Sequence, residues 1–155
     1  MREQQTTDNR QQRAQAGRPA HSFRDLAMYQ RAQELAVQVV AEVEALPERR
    51  AAQIIGGQLL RSATSIGANI AEGHGRFAAG AYRNHLSIAR GSVNETIGWI
   101  DLLERSGYLG KPRAEELIAV CDELLRMISA QMIKLDRETG KGRSFREERE
   151  PYDSE

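Results

Sequence analysis

Cysteine is almost absent from this sequence, which has a single copy at Cys121. One thiol cannot form an internal disulfide, so a disulfide-stapled secreted fold is excluded and a reducing compartment is expected. No apolar run approaches the roughly 20 residues that span a bilayer, and the N-terminus has no hydrophobic signal core. We therefore predict a cytoplasmic protein with no membrane contact.

Aromatic residues are also scarce, at 5% of the 155 residues. No stretch alternates between apolar and polar residues as a half-buried strand does. Alanine and leucine are plentiful instead, and both favour helices. The apolar fraction of 40% is enough for one domain with a sizeable core. The composition predicts an all-α fold.

The chain lacks a net charge, because 22 basic residues balance 22 acidic ones. The distribution is nevertheless uneven. Residues 49–94 carry a net charge of +5, whereas residues 21–48 and 95–136 each carry −3. The basic middle segment could bind phosphate, or the acidic segments of its own fold or of a neighbouring subunit could neutralise it.

Apolar residues at helical spacing predict four helices joined by short connections. The four predicted helices cover about 22–47, 48–72, 79–106 and 112–136. Ser22 and Asp25 resemble a capping box at the first helix, Pro47 ends that helix, and Pro112 suits the first turn of the fourth. Short connections force consecutive helices to run antiparallel, so we predict an up-down-up-down four-helix bundle over residues 22–136.

The two tails, residues 1–21 and 137–155, are polar and highly charged, with almost no regular apolar pattern. Such segments cannot bury enough apolar surface to offset the entropy of ordering. We therefore predict that both tails are disordered and that the bundle is the only folded domain.

Glycines have two predicted uses in the second and third helices. Gly73 and Gly75 suit left-handed termination of the second helix, and Gly107 is the predicted stop of the third. Three small residues recur every four positions along one side of the second helix: Ala63, Gly67 and Ala71. We interpret them as a smooth face for close approach of another helix rather than as a hinge.

The stretch from Gln58 to Arg76 combines an apolar stripe with a polar row on its flank. With a turn of about 100° per residue, four polar residues fall within roughly 80° of one another: Arg61, Ser65, Asn69 and Glu72. Polar groups that border a core cost about 1–3 kcal/mol each when they lack partners. The row therefore predicts a specific interface, either between helices or between subunits.

Three stretches resemble the bacterial family of 23S ribosomal RNA intervening-sequence proteins. They are FRDLAMYQRAQELA (23–36), LLRSATSIGANIAEGHGR (59–76) and HLSIARGSVNE (85–95). The second matches the family pattern Arg-x-x-x-Ser-Ile-x-x-Asn-Ile-Ala-Glu-Gly-x-Gly-Arg, and the third matches Ile-Ala-x-Gly-Ser-x-x-Glu. The resemblance covers nearly all of residues 22–136 and neither tail.

The resemblance implies a four-helix bundle that assembles into a homo-oligomeric ring, usually a pentamer, without catalytic activity or cofactors. A related protein with this fold is the accessory variability determinant of diversity-generating retroelements, a basic ring that binds nucleic acid and a reverse transcriptase. The present chain departs from that relative because it is neutral overall. RNA, DNA and a reverse transcriptase are therefore candidate partners only.

Five residues map onto the recurring polar positions of the family: Arg61, Asn69, Glu72, Ser92 and Glu95. Ser92 and Glu95 lie three residues apart on the predicted third helix and so project together. With Ser65, they form either a paired polar network at a helix or oligomer interface, or a ligand or phosphate site. A fully paired network is a common device for fixing helix register, and we favour it.

The sequence gives no support for catalysis or for a metal site. His21, His74 and His85 have no metal-ligand spacing, and the inward Glu-x-x-His pairs of di-iron bundles are missing. The Gly-x-Gly-x-x-Ala pattern at residues 73–78 follows a predicted helix rather than a strand, so we expect no dinucleotide there. We predict that the protein is not an enzyme.

Nucleic-acid binding is the functional class with most support in the sequence. Four residues form a candidate contact set around the turn between the second and third helices: His74, Arg76, Arg83 and Arg90. Phe77 and Tyr82 could stack on unpaired bases, although we expect both to pack against the end of the bundle. The alternative function is a structural or protein-interaction scaffold whose arginines serve subunit contacts.

Overall fold

A computed structural model describes residues 22–140, which form a short 3-10 turn and four α-helices. The turn covers Phe23–Asp25, and the helices are α1 (Ala27–Glu44), α2 (Arg50–His74), α3 (Ala79–Arg105) and α4 (Lys111–Glu138). The described residues contain no strand, so the predicted all-α class and the four helices are confirmed. None of these helices is long and apolar enough to cross a membrane.

The first helix begins later than predicted. Ser22 and Asp25 do form a capping box, but it caps the 3-10 turn. Leu26 then adopts an extended conformation (φ −71°, ψ 125°), and α1 starts at Ala27. The break lets Leu26 pack against the core and sets Phe23 edge-to-face on Tyr29, with ring centroids 4.9 Å apart.

The predicted stop of the third helix at Gly107 is confirmed, whereas the left-handed termination predicted at Gly73 and Gly75 is wrong. Gly107 has φ +79° just after α3, whereas neither Gly73 nor Gly75 has a positive φ. Gly73 lies inside α2, and Gly75 caps it with an ordinary right-handed conformation (φ −74°, ψ −5°). Gly73 is needed for space instead, because a Cβ there would lie 2.7 Å from the Cβ of His85.

The core lies along the bundle axis and is formed by the apolar stripes of all four helices. The buried stripe of α4 consists of Leu117, Val120, Leu124, Ile128, Met132 and Leu135. In α3 the stripe is buried at Leu86, Ala89, Val93, Ile100 and Leu103, and Ile97 is half-buried. Because burial recurs at helical spacing, each helix presents one face to the core.

Contacts between side chains show that α1 and α2 run antiparallel. Early α2 meets the end of α1 where a Cβ at Gly56 would lie 3.5 Å from Val43, and it would lie 2.6 Å from Leu46 just after that helix. Later in α2, Gly67 faces Tyr29 and Ala32 near the start of α1. An added Cβ at Gly67 would lie 3.7 Å from Tyr29 and 3.8 Å from Ala32, which is ordinary van der Waals contact. Helix α1 therefore lies against this position, but the spacing does not require glycine there.

Two arginines join α1 to α4. Arg31 donates to Glu34 (2.6 Å) on its own helix and to Glu123 (2.7 Å) on α4. Arg113 of α4 donates in the same way to Glu42 of α1 and to Glu116. The hydrogen bonds to these carboxylates raise the pKa of both guanidinium groups. Each arginine thus ties together two carboxylates on two different helices.

The tail predictions lie mostly outside the described residues. Residues 1–21 and 141–155 are not described, so their predicted disorder stays a prediction. Residues 137–138 belong to the last turn of α4, which runs two residues past the predicted boundary.

Candidate functional site

The predicted polar row runs between α2 and α3. At its middle, Arg61 Nη2 donates to Glu95 Oε1 (2.5 Å), and Trp99 Nε1 donates to the same oxygen (3.2 Å). The Arg61 side chain is 63% exposed and that of Glu95 is 37% exposed. The pair therefore lies on the surface of the bundle, above the α2–α3 interface.

Serine and threonine hydroxyls fill the interface beneath this ion pair. Ser65 Oγ lies 3.1 Å from Ser92 Oγ, and Thr96 Oγ1 lies 2.9 Å from Ser62 Oγ. Ser62 and Thr96 are fully buried, and the sequence interpretation missed both. Their spacing gave a usable signal, since Ser62 precedes Ser65 by three residues and Thr96 follows Ser92 by four.

The row continues toward the end of α2. Asn69 Nδ2 donates to the carbonyl oxygen of Ser65 (2.9 Å), and Asn69 Oδ1 lies 3.4 Å from His85 Nδ1. His85 Nε2 lies 3.8 Å from a carboxylate oxygen of Glu72. Arg76 donates to that same Glu72 oxygen (2.7 Å).

The structure thus brings all six predicted members of the row together within one chain. Among the described residues, every buried side-chain nitrogen and oxygen has a hydrogen-bond partner. Polar pairs that are fully satisfied fix helix register and leave no group directed at a ligand. The geometry is that of a structural network between α2 and α3.

In the described part of the chain, no group of three or more His, Cys, Asp or Glu residues could hold a metal ion. Cys121 is buried in α4, and burial raises the pKa of its thiol to about 12. A thiol with that pKa stays protonated at neutral pH and is a poor nucleophile.

Three of the four predicted nucleic-acid contacts, His74, Arg76 and Arg83, lie at the end of the bundle where α2 turns into α3. Arg90 does not join them, because it lies about 16 Å along α3 from Ala79. The four side chains are also not equally available. The exposed side chain of Arg76 is paired with Glu72. Arg83 donates to Asp136 of α4 and is half-buried. His74 packs edge-to-face on Tyr82 with a centroid distance of 6.1 Å. Arg90 is exposed and has no ion-pair partner among residues 22–140.

The expectation that Phe77 packs against the end of the bundle is wrong. Its side chain is fully exposed, at 108% of the reference area, in the turn between α2 and α3. Tyr82 does pack as expected, and burial raises the pKa of its hydroxyl. The turn is too short to fold Phe77 back, because α3 begins two residues later at Ala79.

A partly enclosed cavity of about 400 Å³ lies beside this turn, between the start of α3 and the end of α4. It is lined by Ala79, Gly80, Ala81, Arg83, Asn84, Leu135 and Thr139. The first turn of α3 has no side-chain cap and no acidic residue, so its backbone N–H groups add positive potential here.

Comparison with known proteins identifies relatives by sequence and by fold. Residues 24–130 match the family described as "23S rRNA-intervening sequence protein". A crystal structure from Bacteroides thetaiotaomicron, titled as a protein with unknown function from the S23 ribosomal protein family, is similar with a TM-score of 0.65. That chain is 29% identical, and the match covers 68% of the present chain and 98% of the other. No curated protein matches the sequence.

Proposed function

The chain belongs to the family of 23S rRNA-intervening sequence proteins, and on this basis we propose that it is a non-catalytic, homo-oligomeric RNA-binding protein. The contact surface in this proposal is the end of the bundle around the α2–α3 turn. The family description refers to an insertion in a ribosomal RNA. The side chains at the turn have the chemistry that single-stranded RNA contacts use.

The observation that carries the proposal is the full exposure of Phe77 beside Arg76. Burying a phenylalanine side chain typically stabilises a fold by about 1.5–3 kcal/mol, and the exposed Phe77 does not make this contribution within the chain. Stacking of a nucleic-acid base on an aromatic ring is worth about 1–3 kcal/mol. An unpaired base on Phe77 would use surface that the fold itself leaves open.

Two exposed cations can reach phosphate at little cost, Arg76 beside Phe77 and Arg90 further along α3. Arg90 is exposed without an ion-pair partner among the described residues. The pair of Arg76 with Glu72 leaves both side chains more than half exposed, at 51% and 56%. Exposed pairs of this kind contribute about 0–1 kcal/mol. A phosphate can therefore compete for Arg76, whereas we assign Arg83 a structural role in its pair with Asp136.

The alternative is a scaffold without nucleic-acid binding, and the satisfied polar row between α2 and α3 favours it. In this alternative, the arginines only stabilise the fold and its subunit contacts. We prefer RNA binding because the intrachain pairs account for Arg61, Arg76 and Arg83 but not for Phe77 or Arg90. A reverse transcriptase remains a further proposed partner, which the resemblance alone suggests.

Self-association is proposed to use the outer surface shared by α2 and α3. We call it the α2–α3 outer face, and it consists of Ile54, Arg61, Ala68, Ile88, Gly91, Gly98 and Leu102. Ile54 and Ile88 are 56% and 48% exposed. A Cβ at Gly91 or Gly98 would meet nothing within 4 Å, although each helical glycine costs about 1 kcal/mol relative to alanine. Close approach of a second copy would give these glycines a packing role.

Fluorescence anisotropy of a labelled hairpin RNA with a single-stranded extension tests the RNA-binding proposal. We expect binding near 50 mM salt that weakens at least tenfold near 200 mM, because phosphate contacts release counterions. Phe77→Ala should weaken binding by roughly tenfold through loss of stacking. Val37→Ala is the matched control, since Val37 is a 69% exposed apolar residue on α1.

Two results would contradict the proposal. One is the failure of the wild-type protein to bind RNA at the lower salt concentration. The other is an equal affinity for the Phe77→Ala and Val37→Ala variants. Either outcome would favour the scaffold reading.

A further inference from the structure

We infer that RNA contacts extend from the α2–α3 turn along the outer groove between α3 and α4, where the phosphate backbone of a stem would lie. This inference rests on the proposed RNA binding and names the surface and the form of RNA. We call this groove the α3–α4 seam. Its α3 side consists of Arg83, Ser87, Arg90 and Asn94, and its α4 side consists of Arg126, Ser129, Ile133 and Arg137.

One ion pair sets the register of the seam. Arg83 near the start of α3 donates to Asp136 near the end of α4. The two helices run antiparallel, and each residue advances about 1.5 Å along its axis. Arg90 therefore lies about 10 Å further along the seam, level with Ser129. Arg126 lies less than one turn beyond that level, so cations from both helices line the same stretch.

Helical spacing places these side chains on the exposed surface at and beside the groove. On α4, Ser129 lies about 20° from Asp136, which faces α3, whereas Arg126 and Arg137 lie about 80° and 100° from it, on the outer ridge of the helix. Arg83 and Arg90 are seven residues apart and share a face to within about 20°. Arg126, Ser129 and Ile133 follow the i, i+3, i+7 pattern of one helix face, and Arg137 continues it. Arg90, Arg126 and Arg137 are exposed, and Ile133 is 52% exposed.

The charge of the α3–α4 pair is polarised along the bundle. The half that carries the seam, residues 79–94 and 125–138, has five cations and two carboxylates, a net charge of +3. The other half, residues 95–105 and 111–124, has three cations and seven carboxylates, a net charge of −4. The neutral overall balance thus hides a surface whose potential attracts phosphate at one end only.

Several arginines outside the seam take part in ion pairs of the fold, as Arg83 does within it, whereas the other three seam arginines have no ion-pair partner among the described residues. Arg31, Arg61 and Arg113 each pair with a carboxylate. Within residues 22–140, Arg90, Arg126 and Arg137 pair with none. The helix dipole favours a cation in the last turn of a helix, as at Arg137, and its effect fades beyond that turn. It does not account for Arg126 or for Arg90.

Neutral hydrogen-bonding groups complete the surface. Ser87 and Asn94 are exposed on α3 between and beyond the arginines, and Ser129 is half-buried opposite them. Side chains of serine, asparagine and arginine supply many protein contacts to phosphate and sugar. The cavity beside Arg83 lies at the end of the seam, next to the turn that carries Phe77. A backbone that follows the seam therefore ends where an unpaired base can stack.

The test compares two double variants that remove the same charge from opposite ends of the bundle. Arg126→Gln/Arg137→Gln neutralises the seam. Arg105→Gln/Lys111→Gln is the matched control, because both residues are exposed near the α3–α4 connection and have no ion-pair partner among the described residues. Circular dichroism and the melting temperature establish that both variants keep the fold.

With the labelled hairpin RNA as probe, the seam variant should bind about tenfold more weakly than the control, and its salt dependence should be shallower by about 1.4 to 1.8 in log–log slope. Equal RNA binding by the two double variants would contradict the proposal that RNA contacts the seam. If Phe77→Ala still weakens RNA binding in that case, the proposed RNA binding at the α2–α3 turn stands and only the seam proposal fails. Failure of the wild-type protein to bind the hairpin would overturn both proposals.

Discussion

Gly73 and Gly57 occupy the same helix but have opposite surroundings. A Cβ at Gly73 would lie 2.7 Å from His85 Cβ and 2.9 Å from a ring carbon of Tyr82. A Cβ at Gly57 would meet nothing within 4 Å. The first glycine is required by the contact between α2 and α3, whereas the second only lowers helix propensity.

We predict that alanine at these two positions changes stability in opposite directions. Gly73→Ala should lower the free energy of unfolding by about 1–3 kcal/mol, because the α2–α3 contact must open. Gly57→Ala should raise it by about 0.5–1 kcal/mol through helix propensity. Urea unfolding followed by circular dichroism measures both. A stabilised Gly73→Ala variant would show that the close approach is not needed.

Individual residues also show where the local sequence pattern predicts the position of a side chain and where it does not. The sequence predicts the polar row because Arg61, Ser65 and Asn69 recur on one helix flank. It cannot place Phe77, because apolar character alone favours packing, and the short turn before α3 decides its exposure. The pairing of Arg83 likewise depends on Asp136, which is 53 residues away in the chain.

At the level of elements, α1 and α4 are joined by charged groups on their surfaces as well as by apolar packing. Arg113 contacts Glu42 of α1 and Glu116 of α4, and its side chain is 32% exposed. Arg31 makes the reciprocal arrangement from α1. Partial burial and the sharing of two carboxylates make these pairs stronger than isolated surface pairs.

Replacing Arg113 tests the contribution of this link to the fold. Arg113→Met should lower the free energy of unfolding by about 1 kcal/mol, and the loss should shrink at high salt because salt screens the wild-type pairs. Arg126→Met is the control, with an expected change within about 0.5 kcal/mol. Denaturant unfolding at two salt concentrations measures the difference. Equal effects of the two variants would contradict a stabilising role for the link.

At the level of the whole molecule, self-association through Ile88 on the α2–α3 outer face would leave the arginines of the α3–α4 seam accessible. Ile88 and Arg90 lie about 160° apart around α3, although Ser87 and Asn94 of the seam lie only about 40° from Gly91 and Gly98 of the outer face. Assembly would repeat a modest basic surface in each copy. Several weak phosphate contacts then act together and increase the affinity for one RNA.

We predict that a charge on the outer face reduces the mass of the assembled protein. Ile88→Arg should shift the molar mass from light scattering toward that of a monomer at micromolar concentration, because a guanidinium would be buried without a partner. Val37→Arg adds the same charge on α1, where Val37 is 69% exposed, and should leave the mass unchanged. A monomeric wild-type protein at this concentration would rule out self-association.

The sequence by itself determined the helices, the apolar stripes and the family, because helical periodicity and family motifs are properties of neighbouring residues. It also indicated the polar row, whose members lie within a few turns of one another on α2 and α3. Only the tertiary structure decided which arginines are paired and where Phe77 lies. These outcomes depend on side chains brought together by packing from distant parts of the chain, and no local pattern relates such residues.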